Sequence, residues 1–271
     1  MRRLLLFAAG LAVASGQDAA EIVRKSLDRD HTNFERLKNY TYQQRSEARE
    51  YDSNRKLKKT EVETFEILVL ARRPYARLIS RDDKPLSAKE ERKAQEELEK
   101  ESAKRMRESA SDKAKIEKER ELERKYFREI PNAFVLRILG VEQVSGKPAW
   151  VIEAEPRKGY KPPSLPSANL LTKVRGKFWI DQAEHQWVKA DLEAVDVLSF
   201  GLGLFRIAPG GAIHFEQTRV NDEVWLPRTV LMSASARVGL VKKLNIQQEM
   251  TFKNFRKFQA DAQVVSTAVQ E

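Results

Sequence analysis

The chain has 271 residues and a formal charge of +10. Hydrophobic residues make up 41% and charged residues 33%, enough apolar material for a core and too much for global disorder. No cysteine is present, which excludes disulfides, thiol nucleophiles, cysteine metal sites and lipidation through an N-terminal cysteine.

Residues 1–16 read as an export signal. Arg2 and Arg3 form a positive start, residues 4–13 an apolar stretch, and Ala14-Ser15-Gly16 a small-residue cleavage region. Cleavage is expected before Gln17. The stretch is shorter than the roughly 20 apolar residues that span a bilayer. The mature chain is therefore expected in the periplasm, without a lipid anchor. A helix is predicted over 18–38, where Ala20, Val23, Leu27, Phe34 and Leu37 recur at helical spacing with His31 on the same side. His31 is read as a packed residue rather than a ligand.

Strands are predicted over 40–51, 60–70 and 75–80, with Phe65, Ile67 and Val69 on one face of the second. Ser87 followed by Glu90 is a capping box that opens a charged helical segment. From Lys89 to Lys125 it carries 13 cationic and 12 anionic side chains. That balance argues against a grip on nucleic acid. Its apolar row is thin, ending in Leu122, Tyr126 and Phe127, so a coiled coil is not expected.

A second β-rich block begins near Ala133. Its first strand is apolar on both faces and is expected in the middle of a sheet. In the next, Trp150, Ile152 and Ala154 alternate with Val151, Glu153 and Glu155. Residues 157–169, with three prolines, form a loop in which Lys158 and Lys161 are expected contacts for a membrane surface or anion. Residues 171–198 read as a hairpin: Phe178-Trp179-Ile180, a polar turn, then Val188, Ala190, Leu192 and Ala194 on one face. This hairpin is expected at the centre of the sheet. Residues 199–211 form an apolar loop, a pocket rim or a membrane tip. Three strands follow, over 212–220, 224–232 and 243–255. Phe178-Trp179-Ile180-Asp181 with Val188-Lys189, and later Val224-Trp225-Leu226-Pro227, resemble the LolA/LolB-type outer-membrane lipoprotein-sorting superfamily, which includes sigma-regulatory RseB-like domains.

The resemblance implies an α+β fold: a curved antiparallel sheet, an open half-barrel, with helices against the concave side and the charged insertion at 87–127. One domain is expected over 17–260, with a flexible tail over 261–271. It further implies a non-catalytic lipid- or lipoprotein-binding carrier of the cell envelope, holding acyl chains on an apolar concave face. The alternative is an interaction or sensor module that docks an envelope protein through its charged helix. The residues expected to hold ligand are Phe65, Ile67, Val69, Trp150, Ile152, Phe178, Ile180, Leu202, Leu204 and Phe205. Neither a cofactor nor a metal is expected, because His31, His185 and His214 lack ligand spacing and no nucleophile motif is present. The positive charge lies in the β-rich segments and suits a partner surface of anionic lipid.

Overall fold

Thirteen strands join one open antiparallel sheet in the computed structural model, which describes residues 16–52, 54–164, 168–200, 205–238 and 242–258. Residues 1–15 of the expected signal segment 1–16 and the tail 261–271 lie outside the described residues. Helix α1 (Gly16–Leu37) comes first. Strands β1 (Tyr40–Tyr51), β2 (Leu57–Leu70), β3 (Arg73–Arg81) and β4 (Lys84–Pro85) form a meander. The charged segment then becomes two helices, α2 (Ala88–Met106) and α3 (Ala110–Arg128). Both begin with a capping box, Ser87 with Glu90 and Ser109 with Asp112, which satisfies amide groups that have no partner within the helix. Short α4 (Ile130–Ala133) leads into β5 (Phe134–Val144) and β6 (Lys147–Pro156). A 3-10 turn (Ala168–Thr172) precedes β7 (Val174–Asp181) and β8 (Trp187–Ala194). The chain ends with β9 (Leu198–Phe200), β10 (Phe205–Ile207), β11 (Ala212–Val220), β12 (Val224–Val238) and β13 (Lys242–Lys257).

The sheet order is β4-β3-β2-β1-β13-β12-β11-β8-β7-β6-β5, and β9 pairs with β10, which pairs with β12. Three expectations are corrected here. The hairpin β7–β8 is interior, between β6 and β11, but β12 holds the middle. Strand β5 is a sheet edge, not a central strand. Its Phe134 and Leu136 are buried while Val135, Leu139 and Val141 stay exposed, so apolarity on both faces did not mean cover on both. The described part of the apolar loop contributes strands β9 and β10 to the sheet.

One row of register partners fixes the face that matters. Ile138, Ile152, Phe178, Ala190, Phe215, Val230 and Met250 pair successively across seven strands. Helix α1 lies over this face. Its Ala19 and Val23 are buried with Phe134, Leu136, Ile152, Ala154, Leu171 and Ile180 in the largest core cluster. Asn33 fixes the helix to β12 as a strand partner would: its amide donates to the Trp225 carbonyl, and its Oδ1 accepts from the Trp225 N–H, both at 2.7 Å. A satisfied buried pair of this kind specifies position as well as stability.

The opposite face has its own cluster of Val144, Ala149, Val151, Trp179, Val188 and Trp225. Val188 belongs there because the β7–β8 register slips between Trp179 and Ile180. The bulge turns Val188 away from Ala190 and Leu192, against the simple alternation of the sequence. Lys189 sits 4.1 Å from the centre of the Trp179 ring. Thus Trp179 and Trp225, from the two stretches that carry the family resemblance, pack in one cluster.

Candidate functional site

A cavity of about 580 Å³ opens between α1, α3 and the sheet. Three walls build it. Helix α1 contributes Val23, Leu27 and Phe34, spaced so that one stripe faces the sheet. The floor comes from β7, β8 and β11, with Val174, Phe178, Ile180, Leu192, Ile213 and Phe215. Trp187 stacks on Phe215 with ring centres 4.7 Å apart and stiffens that floor. The third wall is the end of the charged segment: Glu117, Arg120, Arg124, Tyr126 and Phe127 of α3, then Ile130. The insertion is therefore a wall of the cavity as well as a charged surface.

Gly176 of β7 makes the floor fit. A Cβ there would lie 2.3 Å from the Asp191 carbonyl oxygen and 2.7 Å from Leu192. Only a residue without a side chain lets β7 and β8 approach this closely. At the mouth, Phe34 is 40% and Phe127 52% exposed. Large apolar side chains left in water beside a cavity are a mark of binding surfaces.

The rim is charged and mostly paired. Lys38 bonds Glu35 and lies 5.0 Å from the Phe34 ring centre. Arg124 reaches Glu117 at 2.6 Å, and Arg120 approaches the same carboxylate at 3.7 Å. The hydrogen bond from Arg124 holds the Glu117 carboxyl below the usual range. Deeper in, Asp30 Oδ1 accepts the Trp187 indole N–H at 2.7 Å and the Gln186 amide at 3.1 Å. On the opposite sheet face His214 Nδ1 bonds Asp191. Among the described residues, no three His, Asp or Glu side chains gather as a metal site, and no helix is long and apolar enough to cross a membrane.

Of the residues predicted to hold ligand, Phe178 and Ile180 line the cavity. Ile152 is fully buried beneath it, and Trp150 packs beside that core. Phe65, Ile67 and Val69 lie outside the cavity lining, on β2 in the other half of the sheet. Leu202 and Leu204 lie outside the described residues, as does the side chain of Phe205; the Phe205 backbone begins β10. Lys158 and Lys161 are exposed in the loop after β6 and take no part in the cavity. Sequence reasoning did not select Leu27, Phe34, Phe127, Trp187, Leu192, Ile213 or Phe215. The helical stripe carried the signal for Leu27 and Phe34. Nothing local marked the others, because their meeting depends on the β8–β11 pairing.

No protein-family model matches the sequence, and no characterised protein does. Solved structures do match. The chain is similar to lipoprotein-sorting domains. An outer-membrane lipoprotein-sorting protein domain from Vibrio parahaemolyticus aligns with 95% of this chain and 96% of its own, at 10% identity and a TM-score of 0.35. A LolA-superfamily protein from Nitrosomonas europaea aligns over 89% and 94%, at 10% identity and a TM-score of 0.31. A chain of the Pseudomonas aeruginosa MucA/MucB complex aligns over 90% and 100%, at 10% identity and 0.27. Scores this low carry no argument about function, and the fold rests on the strand order itself.

Proposed function

We propose that the protein is a non-catalytic carrier of the cell envelope that holds acyl chains, of a lipid or a lipoprotein, in the cavity under α1 and α3. The observation that carries this reading is the cavity: about 580 Å³, with Leu27, Phe178, Ile180 and Phe215 in its walls. Its size falls in the range of about 300–1,000 Å³ typical of ligand sites. Each methylene moved from water into such a space contributes about 0.8 kcal/mol. The export signal read from residues 1–16 supports a periplasmic site of action.

The test is saturable binding of a fluorescent fatty acid to delipidated protein. Phe178→Asp is expected to weaken binding at least tenfold, by placing a charge in the floor. Phe65→Asp, outside the cavity, is expected to leave affinity within about twofold. Circular dichroism confirms that both variants are folded. Absence of saturable binding by the wild-type protein, or equal loss in the two variants, would sink the reading.

A further inference from the structure

The acyl-chain reading says nothing about the polar end of the ligand. Building on that reading, we propose that the cavity selects an amphiphile ending in an ammonium group, and that Asp30 receives it. Three observations carry this.

The first is the state of the Asp30 carboxylate. It lines the cavity from α1, between Leu27 and Phe34. Both of its hydrogen bonds, from Trp187 Nε1 and Gln186 Nε2, fall on Oδ1. Oδ2 has no partner among the described residues. An ionised carboxylate accepts up to about four hydrogen bonds. Asp30 is half-buried, so Oδ2 is open to a donor that enters the cavity.

The second is the sign of the unpaired charge. Lys38, Arg120, Arg124, Arg128 and Arg175 line the cavity, as do Asp28, Asp30, Glu35, Glu117 and Glu123. Four of the cations have partners: Lys38 with Glu35, Arg120 and Arg124 with Glu117, and Arg175 with Glu193. Among the described residues, Asp28, Asp30 and Glu123 have no ion-pair partner, and Arg128 is the unpaired cation. The lining as a whole carries five charges of each sign, but the groups left unpaired are three carboxylates and one guanidinium, so the attraction for an ammonium is local to Asp30 rather than a property of the whole wall.

The third is Ser26. It lies four residues before Asp30, hence on the same side of α1, and it also lines the cavity. Buried at 3% exposure, it has no hydrogen bond among the described residues, so its hydroxyl oxygen is a second acceptor for an N–H donor. A charge-assisted bond from an ammonium to Oδ2, supported by Ser26, completes the set.

The experiment is competition against the fluorescent fatty-acid probe with dodecylamine, dodecanol and dodecanoate, which share one chain length. Dodecylamine is expected to displace the probe at a concentration at least tenfold below dodecanoate, about 1.4 kcal/mol, with dodecanol between them. Asp30→Asn keeps an Oδ1 acceptor for Trp187 and Gln186 but turns Oδ2 into a donor, and is expected to abolish the preference. Lysophosphatidylethanolamine against lysophosphatidylcholine identifies the source. Preference for the former points to a phospholipid headgroup, whereas equality beside a retained dodecylamine preference points to a free alkylamine. Equal affinity for amine and carboxylate, or a preference that survives Asp30→Asn, overturns the proposal and leaves the acyl-chain reading intact. Displacement by none of the three overturns that reading as well. If the variant fails to fold, the wild-type series decides alone.

Discussion

The two halves of the sheet solve the same problem differently. From β5 to β11 the α1-facing row is Ile138, Ile152, Phe178, Ala190 and Phe215. Along the same row, β13 and β1 contribute Met250 and then Ser46, and Ser46 pairs with Glu63 of β2. Every residue of β1 after Tyr40 is only half-buried. There the strands carry ion pairs instead: Arg45 with Asp83 at 2.7 Å, and Arg81 with Glu63 at 3.2 Å. Exposed pairs contribute about 0–1 kcal/mol each, and this half is also held by buried Ile67 and by Tyr42 packed on Phe252 and Phe255. Its outer strand is also anchored by α2, whose Arg105 donates to the Leu70, Arg73 and Pro74 carbonyls and closes the β2–β3 turn. The contrast shows that an open sheet does not hold a cavity by curvature alone. Both halves carry apolar side chains on the sheet, but the cavity lies where α1 and α3 span it.

The broadest expected effect removes stability and binding together in the covered half. Gly176→Ala places a Cβ against the Asp191 carbonyl, and β7 and β8 must separate to admit it. Overpacking of this kind costs about 1–3 kcal/mol, and more where backbone has to move. The expected outcome is a large fall in thermal midpoint together with loss of probe binding. An unchanged midpoint would show that the strands part without cost.

A matched pair of truncations measures the difference between the halves directly. Ile152 is 0% exposed in the core under α1, so Ile152→Ala is expected to cost about 2–5 kcal/mol. Phe65, half-buried in the other half, is expected to cost less on truncation to Ala, because water already reaches its site. Urea denaturation of the two variants checks the order. Equal losses would mean that both halves are equally covered in solution.

The smallest effect probes a tie at the edge of the covered half. Tyr160 packs on that core and donates its hydroxyl to Glu129 at 2.8 Å. Burial, then the Glu129 bond, pushes its pKa from 10.0 up to about 12. A raised folded-state value means that its contribution is whole below about pH 10 and is lost as pH rises through about 12. Stability followed by urea midpoint should therefore decline over that window more in the wild-type protein than in Tyr160→Phe. Identical declines would show that the tie does not persist in solution.

Much of this architecture is local and was legible in the residues. Strand-forming residues and the turns beside them placed β1 at 40–51 and β11 at 212–220, and the capping box at Ser87 placed the start of α2. The apolar stripe of α1 marked one wall of the cavity, and Phe178 and Ile180 marked part of its floor. These features depend on spacing of a few residues, which a chain specifies by itself. What required the tertiary structure depends on contacts distant in sequence. Phe65, Ile67 and Val69 have the pattern of a ligand-facing strand, yet β2 lies at the far side of β1 and β13 from α1. Phe127 read as the end of a solvated helix, but α3 returns across α1 and makes it a wall. Val188 changed faces at a bulge, and β5 became an edge because no further strand among the described residues pairs beyond it. Local spacing decides which face of an element is apolar. Strand order and helix placement decide whether that face meets a core, a cavity or water.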